Sequence, residues 1–286
     1  MTYRIPLPAG GRTAALDILE PNSTAVQRFI RREGIGRYEP STSATVLALC
    51  ELADPGFVMF DVGANMGLYS AYAAAMFEPS VVHAFEPTPR TADVARRIMA
   101  KNRLPVDVIE KAVGDSTGAA ELHLSPVSDA SNSMIQAFKK STHSIEIEMI
   151  TLDDHVAATG SVPDIVKLDV ETFEAAVLRG ATDLIDRHRP ILVVEVLKRR
   201  KRDHGLEITD LMQGRGYRHV ALPDRPSWTV EDTISGSGTV DRDWLLYPDD
   251  LPAELPDAWV RWRERLDVCT ADRNPRVPIA SSIRAA

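Results

Sequence analysis

From residue 57 onward the chain alternates short apolar runs with longer stretches in which apolar residues recur every three or four positions. Runs of five or six residues are too short for buried helices, and the longer stretches carry one apolar stripe. That rhythm predicts an α/β fold, a parallel sheet with crossover helices. Residues 57–61 form the first buried strand, followed by a turn over 63–67 and a helix whose apolar face is Leu68, Ala71, Tyr72, Ala75 and Met76. Residues 81–86 form the second strand. Thr88 as N-cap and Pro89 at the first helical position then start a helix through Met99, because proline has no N–H to lose there. Residues 106–112 form the third strand.

A polar excursion follows, in which 118–124 and 145–150 alternate like edge strands around a loop at 125–133. The rhythm resumes with a strand at 164–169, a helix with inner face Phe173, Ala176, Val177, Gly180, Ala181, Leu184 and Ile185, and a strand at 191–196. A helix around 208–213 ends at Gly214 or Gly216. The last two strands, 217–222 and 244–247, are joined by a loop too irregular for a crossover helix, which implies an antiparallel pair. Residues 1–56 read as a hairpin turning at Gly10–Gly11 plus a helix over 43–53, a brace or lid. Residues 57–248 read as the main domain with an insertion at about 118–150, and 249–286 as a short helix near 257–268 and a tail. Trp244 is expected in the core.

Composition removes several alternatives. With 33 Lys and Arg against 41 Asp and Glu the 286-residue chain carries a formal charge of −8, which disfavours bulk attraction to nucleic acid or an anionic membrane. No run approaches the ~18 apolar residues that span a bilayer, and Arg4, Pro6, Pro8, Gly10 and Gly11 interrupt the start, so a cytoplasmic protein is expected. Cys50 and Cys269 alone provide neither a disulfide framework nor a zinc site.

An open α/β sheet binds ligands at the carboxyl ends of its strands, so the first turn is the most informative segment. It reads Asp61-Val62-Gly63-Ala64-Asn65-Met66-Gly67. The glycines permit close backbone approach, and the helix that follows offers N–H groups to an anion. The dinucleotide pattern G-x-G-x-x-G fails, since Asn65 stands at the second glycine and Leu68 at the third. Glu86, ending the second strand about twenty residues on, is placed to accept hydrogen bonds from ribose hydroxyls. Together these predict a nucleoside site without a pyrophosphate subsite.

The segments DVGANMG (61–67), AFEPTP (84–89), KAVGDSTG (111–118), TLDD (151–154) and PDIVKLDVETFEAAVLRGA followed by RPILVVEV closely resemble the FkbM-type S-adenosylmethionine-dependent methyltransferases. The resemblance runs from about Tyr38 to Tyr217. It implies a class I methyltransferase (Rossmann-like) fold: a seven-stranded, mostly parallel sheet with an antiparallel last strand, flanked by helices. It further implies S-adenosyl-L-methionine as cofactor, its methionine moiety over Asp61, Gly63, Asn65 and Gly67, its ribose on Glu86 and its adenine beside Ala112 to Asp115. The family's Ser- and Asn-rich segment near the pocket falls on residues 128–133, which read either as a plain surface turn or as a site of substrate contacts, with Asn132 and Ser133 the candidates. One departure stands out: the family's DVEG is Asp169-Val170-Glu171-Thr172 here, followed by Phe173. Threonine in that position is able to cap the next helix.

Methyl transfer to oxygen needs orientation and, for a hydroxyl acceptor, a base. Asp169 and Glu195 end strands expected to be adjacent, directing both carboxylates into one crevice, and Glu171 is a third candidate; Asp169 is the favoured base. Three acids are able to gather Mg2+, but no metal-ligand spacing is present and Mg2+ is not favoured. The basic run 198–202 reads as a solvated charge run before it reads as a receptor for an anionic acceptor, and His83 as a satisfied core or edge residue. The expected activity is O-methylation of a sugar, glycolipid, glycan or secondary metabolite, with a small-molecule or glycan acceptor as partner and a homodimer left open. The rivals are a nicotinamide-dependent oxidoreductase, weakened by the broken glycine pattern, and a non-catalytic binding module of the same fold.

Overall fold

The computed structural model describes residues 2–124, 134, 143–197, 204–236 and 243–270. The chain opens with a hairpin of β1 (Thr2–Pro6) and β2 (Ala15–Leu19), then α1 (Ala25–Glu33) and α2 (Pro40–Leu52). The alternating part follows as β3 (Val58–Val62), α3 (Leu68–Met76), β4 (Val81–Phe85), α4 (Pro89–Asn102) and β5 (Asp107–Ile109). Three strands, β6 (Ala112–Val113), β7 (Gly118–His123) and β8 (Ser144–Ile150), precede α5 (Leu152–Thr159), β9 (Ile165–Leu168), α6 (Glu174–Arg179), α7 (Thr182–His188) and β10 (Ile191–Glu195). The chain closes with α8 (His204–Met212), β11 (Arg218–Ala221), β12 (Asp243–Tyr247) and α9 (Leu255–Asp267).

Seven strands form the main sheet in the order β11-β12-β10-β9-β3-β4-β5. Neighbours from β5 to β10 pair in parallel, whereas β12 runs antiparallel to both β10 and β11. This is the class I methyltransferase sheet, with β12 as its antiparallel strand. Side chains alternate across the sheet and build two apolar layers. Met59, Val82, Val193 and Leu245 face α2, α3 and α9. Phe60, Val166, Val194 and Trp244 face the α6, α7 and α8 side. Trp244 is buried as expected.

Four expectations are corrected. The 106–112 strand is two pieces: β5 ends the main sheet, while β6 leaves it to pair with β8, so 118–124 and 145–150 lie in a separate three-stranded sheet instead of at the edge of the main one. The helix over 173–185 is broken into α6 and α7. A Cβ on Gly180 at the break would lie 2.0 Å from the Gly114 carbonyl oxygen, so the backbone of one segment rests on the other. Thr172 does not cap α6; Phe173 holds the cap position without a side-chain bond, and the Glu174 carboxylate instead takes the N–H groups of Val170 (3.2 Å) and Thr172 (3.0 Å). Finally, the N-terminal segment contains α1 in addition to α2, opened by a capping box between Thr24 and Gln27.

The N-terminal segment is bonded to α4 and to α9. Asn102 of α4 bonds the backbone of Asp17 on β2 through both its amide oxygen (2.8 Å) and its nitrogen (2.9 Å). On α9, the indole N–H of Trp259 donates to the Ser41 carbonyl (3.2 Å) and that of Trp262 to the Glu51 carboxylate (2.7 Å), fixing both ends of α2. No described helix is long and apolar enough to cross a membrane.

Candidate active site

Strand order reverses at β3, which has β4 on one side and β9 on the other, and open α/β sheets bind ligands at such a point. A pocket opens there, lined among others by Asp61, Gly63, Asn65, Glu86, Ala112 and Asp169. Six residues predicted from sequence thus meet in one cavity, and Glu171 lines it as well.

Gly63 has φ +83°, and a Cβ there would lie 1.7 Å from the Asp169 carbonyl oxygen, so the turn rests directly on the end of β9. The N–H groups of Gly63 and Ala64 both donate to the Phe85 carbonyl at 2.9 Å, and that of Asn65 to Glu86 Oε2 at 3.1 Å. These donors bind the turn to β4. Glu86 Oε1 takes the Thr88 N–H at 2.8 Å. The carboxylate is therefore buried and braced from two sides before any ligand arrives, beside the apolar Phe85, Ala112 and Val113. A carboxylate so placed, next to an apolar slot, suits a ribose and its base.

Asp61 plays a bracing part: its Oδ2 accepts the N–H (3.0 Å) and hydroxyl (2.7 Å) of Ser70 in α3. Burial raises its pKa, opposed by those bonds. Gly67, at φ +79°, makes the entry into α3, where a Cβ would strike Met99. Asp115 does not join the pocket; it pairs with Arg179 at 3.1 Å on the surface. Asn132, Ser133 and the basic run from Lys198 lie outside the described residues.

The carboxylate side of the crevice holds residues that sequence reasoning missed. Ligand atoms of Glu39, Asp169 and Glu195 lie within 4.8 Å of one another. Asp169 and Glu195 come from the ends of adjacent strands, as expected, whereas Glu39 comes from the N-terminus of α2, in the left-handed region at φ 41°. Tyr69 of α3 donates its hydroxyl to Glu39 at 2.7 Å. Among these acids stands Lys167, in the middle of β9 and 1% exposed, with Nζ 3.7 Å from Asp169, 3.9 Å from Asp243 and 5.4 Å from the centre of the Tyr69 ring. Thr42 of α2 donates to Asp243 at 2.7 Å.

The charges decide each other's state. Burial drives Lys167 toward neutrality, but the carboxylates of Asp169, Asp243, Glu39 and Glu195 more than reverse it and hold the ammonium protonated. Burial, with Asp243 and Asp169 adding repulsion, pushes Glu39 up to about 7, partly offset by Lys167 and the Tyr69 bond. The signal for Lys167 was present in the sequence: a lysine inside the apolar run Ile165-Val166-Lys167-Leu168 must be paired. Nothing in the periodicity marks Glu39.

Residues 61–219 match the model of the methyltransferase FkbM domain. The chain is 27% identical over 200 residues to 31-O-demethyl-FK506 methyltransferase FkbM of Streptomyces tacrolimicus, covering 59% of this chain and 76% of that protein. It is 32% identical over 148 residues to hexuronic acid methyltransferase AglP of Haloferax volcanii, covering 51% of this chain and only 58% of that protein's length. Among solved structures, an S-adenosylmethionine-dependent methyltransferase from Agrobacterium tumefaciens superposes with a TM-score of 0.47 at 12% identity, over 87% of this chain and 70% of that one.

Proposed function

This chain belongs to the FkbM family of S-adenosylmethionine-dependent methyltransferases, and from that premise we propose that it methylates a hydroxyl oxygen on an uncharged sugar, glycolipid, glycan or secondary metabolite. The cofactor, when bound, supplies an electrophilic methyl group. Gly63, Asn65 and Gly67 shape the turn it would lie over, and the braced Glu86 carboxylate suits the two ribose hydroxyls. Ala112 and Val113 offer an apolar wall to the adenine.

The observation that carries the acceptor class is the sign of the charge beside this pocket. Asp169, Glu195 and Glu39 converge there, with Lys167 as the cation among them. Such a field favours a cationic donor, orients an O–H toward a carboxylate and repels an anionic acceptor. Asp169, which lines the pocket with Glu171, orients the hydroxyl, and the carboxylate of the buried Glu195 lies within 4.8 Å of its own. Lys167 already supplies a positive charge to these acids, so a Mg2+ ion there would meet an ammonium; the reading proceeds without metal. Two relatives are named for 31-O-demethyl-FK506 and for hexuronic acid, and the charge at this site favours an uncharged acceptor.

The test is methyl transfer from labelled S-adenosylmethionine to matched acceptors, a hexuronic acid and its neutral methyl ester among a panel of hydroxyl compounds. Preference for neutral members supports the reading; preference for the free acids contradicts it.

A further inference from the structure

The buried ammonium of Lys167 makes no hydrogen bond among the described residues, although it lines the pocket and is 1% exposed. An ammonium has three donors, and burying them unmet is costly, so their geometry asks for an oxygen in the space among the acids. The carboxylate oxygens of Glu39 and Asp169 lie within 4.8 Å of each other, close enough for one hydroxyl to bond both at about 2.7 Å. A hydroxyl oxygen placed there meets a donor in Lys167 and proton acceptors in Asp169 and Glu39.

We propose that Glu39, contributed by the N-terminal segment outside the matched family domain, is a catalytic residue that takes the proton of the acceptor hydroxyl while Lys167 donates to its oxygen. The inference rests on the methyl-transfer reading above. The O–H bond breaks and its proton passes to a Glu39 carboxylate oxygen. The acceptor oxygen bonds the methyl carbon as the sulfur–methyl bond breaks, its electron pair remaining on sulfur, and Glu39 then returns the proton to solvent. Lys167 is suited to stabilise the negative charge that grows on the oxygen, and it is held protonated, so it serves as donor and not as base. Asp169 fixes both the ammonium and the hydroxyl.

The placement of Glu39 is built, not incidental. Its backbone sits in a left-handed conformation that a glutamate adopts at a cost, and such strain concentrates at functional sites. Its surroundings are Tyr69 from α3, Lys167 and Asp169 from β9, Glu195 from β10, Asp243 from β12, and Tyr38 next to it in the chain. Burial and the neighbouring acids bring it to about 7, near the value at which a general base works best in neutral solution.

Two measurements test this. In the full chain saturated with S-adenosylhomocysteine, carboxyl-labelled glutamates are titrated by 13C NMR. One resonance with a midpoint near 7 should vanish in Glu39→Gln. Its midpoint should fall in Asp169→Asn, which removes a like charge, and rise in Tyr69→Phe, which removes a hydrogen bond to the ionised form. A spectrum in which Glu39→Gln deletes no resonance titrating between about pH 6 and 8, or in which Asp169→Asn leaves the midpoint unmoved, overturns the proposal. The second measurement is kcat against pH with whichever acceptor takes label. Wild type should lose activity as pH falls through about 7, whereas Glu39→Gln should lack that limb and turn over about 10²–10⁴-fold more slowly, with unchanged cofactor affinity. A merely structural Glu39 would lower the melting temperature and leave the limb in place. If wild type labels no hydroxyl compound, the methyl-transfer reading fails by itself, while the titration still judges Glu39.

Discussion

The backbone N–H of Asn65 donates to Glu86 Oε2 at 3.1 Å, so the first glycine turn and the acid at the end of the second strand are one hydrogen-bonded unit. With Thr88 holding the other carboxylate oxygen, Glu86→Ala removes the brace of the turn together with the proposed ribose contact. Calorimetry should show affinity for S-adenosylmethionine and for its demethylated product reduced by about 1–3 kcal/mol, the cost of leaving buried hydroxyls unpaired. NAD should bind neither protein, because the pyrophosphate glycine is absent. An unchanged Glu86→Ala affinity would remove Glu86 from the cofactor site.

Thr172 stands where the resemblance to the DVEG pattern implies glycine, and its φ is 80°, a region a β-branched residue enters only under strain. Its N–H donates to Glu174, so the surrounding turn holds it there. Such strain is worth roughly 1–3 kcal/mol, partly offset by the greater freedom glycine has when unfolded. Thr172→Gly should therefore raise unfolding stability by about 1 kcal/mol in urea titrations. A loss of stability would mean that the threonine side chain contributes more through packing than its backbone forfeits.

Glu174 is fully buried, and burial first, then the Asp169 charge, push its carboxyl up to about 7, against hydrogen bonds that hold it down. Unfolded, it titrates near its ordinary 4.5. Between those values the native protein keeps a proton that the unfolded chain has released, so this group's contribution to stability falls as pH rises from about 4.5 to 7. Asp61 and Glu39, both raised, act with the same sign. Glu174→Gln keeps an oxygen for the Val170 and Thr172 N–H groups and cannot ionise. Denaturant unfolding at pH 5 and pH 8 should show wild type losing more stability than the variant, by on the order of 2–4 kcal/mol; equal losses would place the Glu174 titration at its ordinary value in the folded state.

The strands of the parallel sheet were legible because most are short, largely apolar runs, and the antiparallel last strand because the sequence between the last two strands carries no helical periodicity. Glu86 and Gly63 were legible because both sit at fixed offsets from the first strand. What failed depends on partners distant in sequence. Alternation in 118–124 identified a strand but not that Ala112–Val113 would leave the main sheet to join its sheet. Apolar periodicity runs unbroken through Gly180, and only the Gly114 backbone behind it divides the helix. Asp115 was placed by the family resemblance alone, yet Arg179, sixty-four residues on, pairs with it at the surface. Thr24 and Gln27 carried a readable capping box. Lys167 was readable too, as a charge inside a buried strand, whereas the arrival of Glu39 depends on how α2 docks beneath α9.

Asp169 is the carboxylate at which the pocket, the Lys167 ammonium and the end of β9 meet. The most direct test of the account is the rate of labelled methyl transfer from S-adenosylmethionine to the acceptor by wild type and Asp169→Asn, measured at saturating cofactor. The account predicts label on a hydroxyl oxygen of an uncharged acceptor, and a variant about 10²–10⁴-fold slower in kcat with cofactor affinity intact. Undiminished turnover by Asp169→Asn, or label carried by an acceptor carboxylate, would contradict it.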